Sequence, residues 1–543
     1  MKRKNFHKKE GIRTVYDAVR ANAKETPEQL KADEKIIQKD VKIKNLDKAV
    51  ALAEKYLNEN PGAPVYVVGD YDSDGINATT IMYWAFSKAG VRVITRIPRR
   101  FSEGYGLSTK IISEIPPESL VITVDNGIAA ADAINLAKER MMTVIVTDHH
   151  LPPKDADGNI ILPEADVIVD AHLGGSDFED YCGAAVAFRF MQEMLPNMNH
   201  KALLVHAAVA TITDVVPLVG PNRELVCEGL KLMNEGVMTP GMNALVNALG
   251  IEPGTITEET IGFTIGPSLN AGGRLEDRGA EHALELFKCT GNSPAKEELA
   301  ALLVSLNGER KKLAKEAEKR AMSAVGDERP IVYTDETIGE GIVGLVAGKL
   351  CETFKTPVIV FTRSGEGKLK GSGRSVPGVD LKKVLDQIQN HILGYGGHAG
   401  AAGLTISADE EPAFRKAFKD ACGELPDFSD AETSYDIDLS DDLEGTMEEI
   451  KKYAPYGEGN PKIRFRYCHR AEADPKFIGD GSHFMIRDRD VTLVGFGMSD
   501  SYKAAGCPKD LDMIGYLSES WFRGKKSYRF EIASFDAGNE KGK

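Results

Sequence analysis

Three short segments hold most of the side chains in this sequence that could do chemistry together. They are Gly69-Asp70-Tyr71-Asp72-Ser73-Asp74-Gly75, Thr123-Val124-Asp125-Asn126-Gly127 and Asp148-His149-His150. Several carboxylates converge only around a counter-charge, and a hard divalent cation is the usual one. Imidazole nitrogen completes a donor set that suits such ions. The segments therefore point to a metal centre. If the first segment is extended, Asp70, Asp72 and Asp74 fall on one face, because alternate strand residues do.

Each segment closes an aliphatic, β-branched run: Val65-Tyr66-Val67-Val68, Leu120-Val121-Ile122 and Thr143-Val144-Ile145-Val146-Thr147. Helical stretches separate the runs, which predicts a parallel α/β sheet. Ligands of such sheets gather beyond the carboxyl ends of the strands, where these acids and imidazoles sit. The strand–helix alternation is expected to continue to about residue 290.

Residues 1-60 read as an N-terminal helical extension, and 61-294 as the α/β domain that carries the three segments. Residues 295-325 are rich in helix formers and lack proline, the pattern of a long connecting helix. Residues 326-426 read as a smaller α/β domain. Acidic residues mark a boundary from Asp427 to Asp442, and 427-543 alternate in short runs that predict a small β-barrel.

At 543 residues, 42% hydrophobic and 27% charged, the chain has the length and core for several domains. Its net charge of −15 rules against a nucleic-acid footprint spread over the whole surface. A local basic channel remains compatible with that charge. The seven cysteines are scattered, which fits a reducing cytoplasm and argues against a cysteine zinc site. No apolar run reaches membrane-spanning length, so no membrane is expected as a partner.

With these residues in place, the chain resembles the DHH phosphoesterase superfamily, and within it the RecJ single-strand exonucleases. Asp70 to Gly75, Asp125 and Asp148-His149-His150 are similar to the first three family motifs, and Asp214 in Thr213-Asp214-Val215-Val216 to the fourth. Gly371-Ser372-Gly373-Arg374 and Gly396-Gly397-His398 resemble the companion DHHA1 domain. Arg99-Arg100-Phe101-Ser102-Glu103-Gly104-Tyr105 and Asn270-Ala271-Gly272-Gly273-Arg274 favour RecJ over smaller relatives. The implied fold class is α/β: a parallel-sheet DHH domain and a DHHA1 domain joined by a long helix, then an OB-like barrel.

The resemblance implies two divalent cations, Mn²⁺ in preference to Mg²⁺, held by Asp72, Asp74, Asp125, His149 and Asp214, with Asp125 bridging. Asp148 and Asp70 would stand behind the ligands, and His150 would meet the scissile phosphate or assist proton transfer. Arg100, Asn270, Arg274, Ser372, Arg374 and His398 would hold the substrate. In the barrel, Tyr453, Tyr456, Trp521, Phe522, Arg523, Lys525, Lys526, Tyr528 and Arg529 are the aromatic and basic candidates for a single strand. The implied activity is 5′→3′ digestion of single-stranded DNA in repair or recombination, with a single-strand-binding protein and a helicase as candidate partners. Two departures stand out. Glu340 falls where the family often has a histidine, and Asp170 where an asparagine is expected. Asp170 and His172 read as structural, as does His206 in its apolar helix. Other readings are a phosphodiesterase of oligoribonucleotides or cyclic dinucleotides, and a non-catalytic nucleic-acid-binding scaffold.

Overall fold

The computed structural model describes residues 6–31, 41–155, 157–365, 367–426, 434–489, 491–522 and 525–537 (at 521, 522 and 525, the backbone alone). The described residues among the first sixty do not form a unit of their own. Strand β1 (His7–Lys8) and helices α1 (Val15–Asn22) and α2 (Pro27–Lys31) leave Ile12, Val15, Ala18, Val19 and Leu30 in the core of the last domain. Helix α3 (Leu46–Glu59) instead buries Leu46, Ala49, Val50 and Ala53 against the first sheet. The two halves are amphipathic, and each finds a different apolar partner.

That first sheet contains β2 (Val65–Val68), β3 (Val93–Arg96), β4 (Leu120–Val124), β5 (Thr143–Thr147) and β6 (Val167–Val169), all parallel, in the order β3-β2-β4-β5-β6. Its aliphatic runs are continuous because helices cover both faces. Val65, Val67 and Val68 are fully buried, each stabilising the fold by about 1.5–3 kcal/mol. The chain leaves β2 toward β3 and returns to β4 on the other side. The switch point thus lies between β2 and β4, where a crevice opens.

Strand–helix alternation stops at Val169, far short of residue 290. Around the sheet lie α4 (Ser73–Lys88), α5 (Thr109–Glu114) and α6 (Ala131–Glu139). Helices α7 (Gly183–Met194), α8 (Lys201–Thr213), α9 (Gly220–Asn234), α10 (Pro240–Ala248), α11 (Glu258–Thr260), α12 (Gly266–Leu275) and α13 (Gly279–Lys288) follow without a further strand. They build a second apolar cluster around Val205, Met242, Leu269 and Phe287.

Helix α14 (Ala295–Ala324) joins two cores. Ala300 and Leu303 sit in the helical cluster, while Ala314, Ala317 and Ala321 sit in the next domain. That domain has β7 (Ile331–Thr334), α15 (Glu340–Phe354), β8 (Val358–Arg363), β9 (Lys368–Arg374), β10 (Gly394–Gly397) and β11 (Ala401–Ser407), in the order β10-β11-β9-β8-β7. Only β7 and β8 run parallel among these pairs.

Strand β12 (Ser434–Tyr435) pairs in parallel with β1. The last sheet orders its seven strands β13 (Ile437–Asp438), β14 (Phe465–Arg470), β18 (Asp510–Phe522), β19 (Lys525–Ala537), β17 (Val491–Gly495), β16 (His483–Asp488) and β15 (Lys476–Ile478). Arg223 of α9 clasps this barrel to the helical cluster. Its guanidinium donates to the carbonyls of Leu30, Tyr453, Ala454 and Pro455 at 2.7–3.1 Å. Tyr453, Tyr456 and Tyr528 are buried in the shared core, so they are not stacking surfaces, as alternation alone had allowed. Arg523 lies outside the described residues, as do the side chains of Trp521, Phe522 and Lys525. Lys526 pairs with Glu519 and Glu444, and Arg529 is exposed. Among the described residues no helix is long and apolar enough to cross a membrane.

Candidate metal centre and phosphate cleft

The acids arrive at the crevice through local capping and close packing. Asp72 is the N-cap of α4, its Oδ1 accepting from the amides of Asp74 (2.9 Å) and Gly75 (3.1 Å). The helix can start that near the strand because Gly75 has no Cβ. An added one would lie 2.4 Å from the Asp70 nitrogen. The segment is thus a cap and a first helical turn rather than an extension: Asp70 and Asp72 keep their donor atoms close together, while Asp74 turns away. Asp74 turns to α7, where its two oxygens accept from the amides of Gly183 and Ala184, each at 2.7 Å. That helix N-terminus favours a negative charge.

Asp125 follows β4 with φ at 61°, a strained backbone for a non-glycine residue. Helix α7 begins directly against it: a Cβ on Gly183 would meet the Asp125 Cβ at 2.4 Å. His149 brings Nε2 to 3.0 Å from Asp125 Oδ1, 3.5 Å from Asp74 Oδ2 and 3.7 Å from Asp214 Oδ2. Donor atoms fall into three close sets: Asp70, Asp72 and Asp125; Asp74, His149 and Asp214; and Asp125, His149 and His150. Asp125 belongs to two of them, as a bridging carboxylate would. Asp70 joins a donor set with Asp72 and Asp125 rather than standing behind it.

The electrostatics match this geometry. Burial pushes Asp70, Asp72, Asp125 and Asp214 above the usual carboxylate range, and neighbouring aspartates push further. Burial lowers His149, which keeps it in the neutral, lone-pair form that binds metal. Asp70 Oδ1, Asp125 Oδ1 and His149 Nε2 are buried without a hydrogen bond. Buried polar atoms left in this condition are costly, and a divalent cation would satisfy all three. The donor set fits the ions expected of it.

Asp148 is fully engaged. It accepts from the amides of Ile128 (2.9 Å), His149 (2.8 Å) and His150 (3.2 Å), and from His150 Nδ1 at 2.8 Å. Burial alone would depress His150, but this bond and the Asp148 charge raise it to about 9. Tyr105, which the sequence reading passed over as a functional group, places its hydroxyl 3.1 Å from His150 Nε2 and donates to the Asp125 carbonyl at 3.0 Å. Its presence in the Arg100 segment was the available signal.

Beyond the acids lies a basic wall. The Arg100 guanidinium stacks 4.7 Å over the Tyr71 ring. Arg274, at the end of α12, donates to the Gly341 carbonyl of the next domain at 3.2 Å. Burial, with Arg100, Arg310 and Arg374 nearby, pushes Arg274 down to about 10. Arg374 donates to Ser372 Oγ at 3.2 Å, and both reach the first turn of α15 at Gly344. Arg310, absent from the sequence candidates, donates to Asn307 Oδ1 at 3.1 Å. It sits in a charged stretch of α14 and carries no distinguishing pattern. Asn270 Oδ1 accepts from the Ser73 amide at 2.7 Å, tying α12 to the start of α4.

Other candidates lie apart. His398 is exposed and bonds within its own hairpin, accepting from the Gly400 amide at 3.2 Å. His206 is buried between Asn77 and Thr239, at 2.6 and 2.8 Å, and burial pushes it to about 3. Asp170 caps the short turn containing His172, and its Oδ2 is buried without a hydrogen bond. Glu340 pairs with Lys370 at 2.9 Å.

Fold and site together define a DHH phosphoesterase with an added barrel. Sequence profiles agree: the DHH family N-terminal domain matches residues 64–213, the DHHA1 domain 328–424 and the RecJ OB domain 434–534. The chain is 32% identical over 456 residues to the single-stranded-DNA-specific exonuclease RecJ of Dickeya dadantii (strain 3937), covering 77% of each chain. Crystal structures of RecJ from Thermus thermophilus are similar too. The Mn²⁺ complex has a TM-score of 0.77 at 27% identity, over 95% of this chain and 74% of that one. The Mg²⁺ complex has a TM-score of 0.70 at 26% identity, over 95% and 73%. The chain belongs to the RecJ family.

Proposed function

We propose that the chain is a metal-dependent exonuclease that degrades single-stranded DNA from the 5′ end to mononucleotides. The observation that carries this reading is the convergence of buried donor atoms on Asp70, Asp125 and His149, none of them in a hydrogen bond, beside a wall of arginines. The names of the RecJ relatives support the substrate and the activity. Asp72, Asp74, Asp125, His149 and Asp214 would hold two divalent cations, manganese in preference to magnesium, with Asp70 close enough to share the task. When bound, such cations neutralise phosphate charge and acidify water.

The protein's own groups do the rest. Arg100, Arg274, Ser372 and Arg374 hold backbone or terminal phosphates across the cleft, and guanidinium forks suit that task. Asn270 fixes the Ser73 amide, and so the start of the helix that Asp72 caps. Asp148 holds a proton on His150 Nδ1. The charged His150 can then stabilise the scissile phosphate or pass a proton to the leaving oxygen. His398 would join only through movement of its hairpin. The OB barrel guides the strand. The setting belongs to the same proposal: DNA repair or recombination in the cytoplasm, beside a single-strand-binding protein and a helicase. So do domain limits at 61-294, 295-325, 326-426 and 427-543, with one apolar cluster centred on the third and another on the fourth.

The test is digestion of a single-stranded oligonucleotide with Mn²⁺, labelled at the 5′ end in one reaction and the 3′ end in another. Immediate release of a 5′-labelled mononucleotide, with a shrinking 3′-labelled ladder, is the expected result. Cleavage of cyclic or short RNA dinucleotides instead would overturn the proposal.

A further inference from the structure

The helical run from α11 through α12 touches the barrel, the start of α4 and the next domain, and one side chain on it has no role so far. Between α11 and α12 the backbone makes a π-helical turn, Ile261–Ile265. Such turns insert an extra residue and often mark functional sites. Here Ile261 and Ile265 are buried, while Phe263 between them is 74% exposed. Among the described residues Phe263 is the most exposed of the large apolar side chains.

Its position can be read from the neighbours. A Cβ on Gly262 would lie 3.6 Å from Ile212 Cγ2, and one on Gly266 would lie 2.3 Å from Thr213 Cγ2. The turn thus presses on the end of α8 immediately before Asp214. Phe263, Pro267, Asn270 and Arg274 are spaced by four, three and four, which puts them on one stripe of the helix. Asn270 and Arg274 on that stripe face the metal centre and the arginine wall. Phe263 precedes Asn270 by seven residues, roughly 10 Å along the axis. On the other side, Glu258 accepts from the Tyr456 amide of the barrel at 3.1 Å, and Glu259 pairs with Lys462. Phe263 lies between the barrel and the metal centre. Val215, also exposed, follows Asp214 directly and adds an apolar lip.

We propose that Phe263 is a stacking platform for an unpaired nucleobase of the strand as it passes from the barrel to the metal centre, and so a determinant of single-strand specificity. The inference rests on the exonuclease reading given above. A stacked base offers its face to an aromatic ring whatever its identity. A base inside a duplex has both faces covered and must be unstacked and unpaired first.

The test compares the full-length protein with its F263A and F263W variants on a single-stranded oligonucleotide carrying one abasic site, moved through each of the first several nucleotides. F263A should raise KM about tenfold to a hundredfold, the range of one lost base–aromatic stack, with a smaller change in kcat. F263W should restore most of the loss. The unaltered protein should lose a similar factor with the abasic site at one particular position, where F263A should lose nothing further. An unchanged KM in F263A, indifference of the unaltered protein to every abasic position, or losses that simply multiply would each overturn the proposal. Failure of the unaltered protein to cut any single strand would instead overturn the exonuclease reading beneath it.

Discussion

The two ends of the cleft hold opposite charges under the same stress. At one end, burial and mutual repulsion raise Asp70, Asp72, Asp125 and Asp214 above the usual carboxylate range. At the other, burial and neighbouring guanidiniums lower Arg274, while burial lowers Arg310 and Arg374. Each cluster is destabilised alone, and the charge of Asp72 at Arg274 offsets only part of that cost. A chain selected for stability would interleave them. Segregation makes sense when each end awaits its own ligand, cations at the acids and a phosphate chain at the arginines.

Removing the acid end should have the largest effect. Asp125→Ala should lower DNA cleavage by several orders of magnitude, the scale expected when a catalytic group is lost. In the metal-free protein, Asp125→Asn should raise the melting temperature, because a buried, repelled charge is gone. An active Asp125→Ala variant would break the comparison at its root. At the basic end, Arg274→Ala should lower kcat/KM roughly a hundredfold, the loss of charge-assisted phosphate hydrogen bonds. It should also reduce the slope of log affinity against log salt by about 0.7, one phosphate contact fewer on a single strand. An unchanged salt slope would mean that Arg274 holds only the Gly341 carbonyl.

The smallest effect sharpens the comparison from outside the cleft. Asp170 is also buried and pushed up, to about 7, chiefly by burial and further by Asp148, but it belongs to none of the three donor sets. Its folded value lies above the unfolded one of about 3.9, so its cost appears as pH rises between the two. Asp170→Asn should therefore raise the melting temperature by a few degrees at pH 7.5. The gain should shrink as pH falls and vanish below about pH 4. A gain that is independent of pH would point to packing instead of charge.

The acid end was readable from sequence because Asp70, Asp125 and His149 follow strands, and strands announce themselves by β-branched runs; Asp214 follows helix α8 and was legible only through the family resemblance. What misled was the state of the first segment. Read as extended, Asp70, Asp72 and Asp74 should align. Capping by Asp72 instead starts a helix and sends Asp74 to the α7 amides. Arg310 was silent because a cationic residue in a charged helical stretch resembles its neighbours. The alternation in the barrel marks strands but not which aromatics are inside, so Tyr453 and Tyr456 stand as strand-binding candidates in the sequence although both are buried. The split of the first sixty residues had no local signal at all, since each half is amphipathic in the same way.

That split has a consequence for how the chain is made. Lys8 and Asp438 pair across 430 positions of sequence, and Ile12 to Leu30 have their apolar partners in the barrel. At ordinary elongation rates those partners emerge tens of seconds later. Until then Ile12, Val15, Ala18, Val19 and Leu30 lack the barrel residues that bury them. Completion of the barrel would then act as a late quality check on the whole molecule.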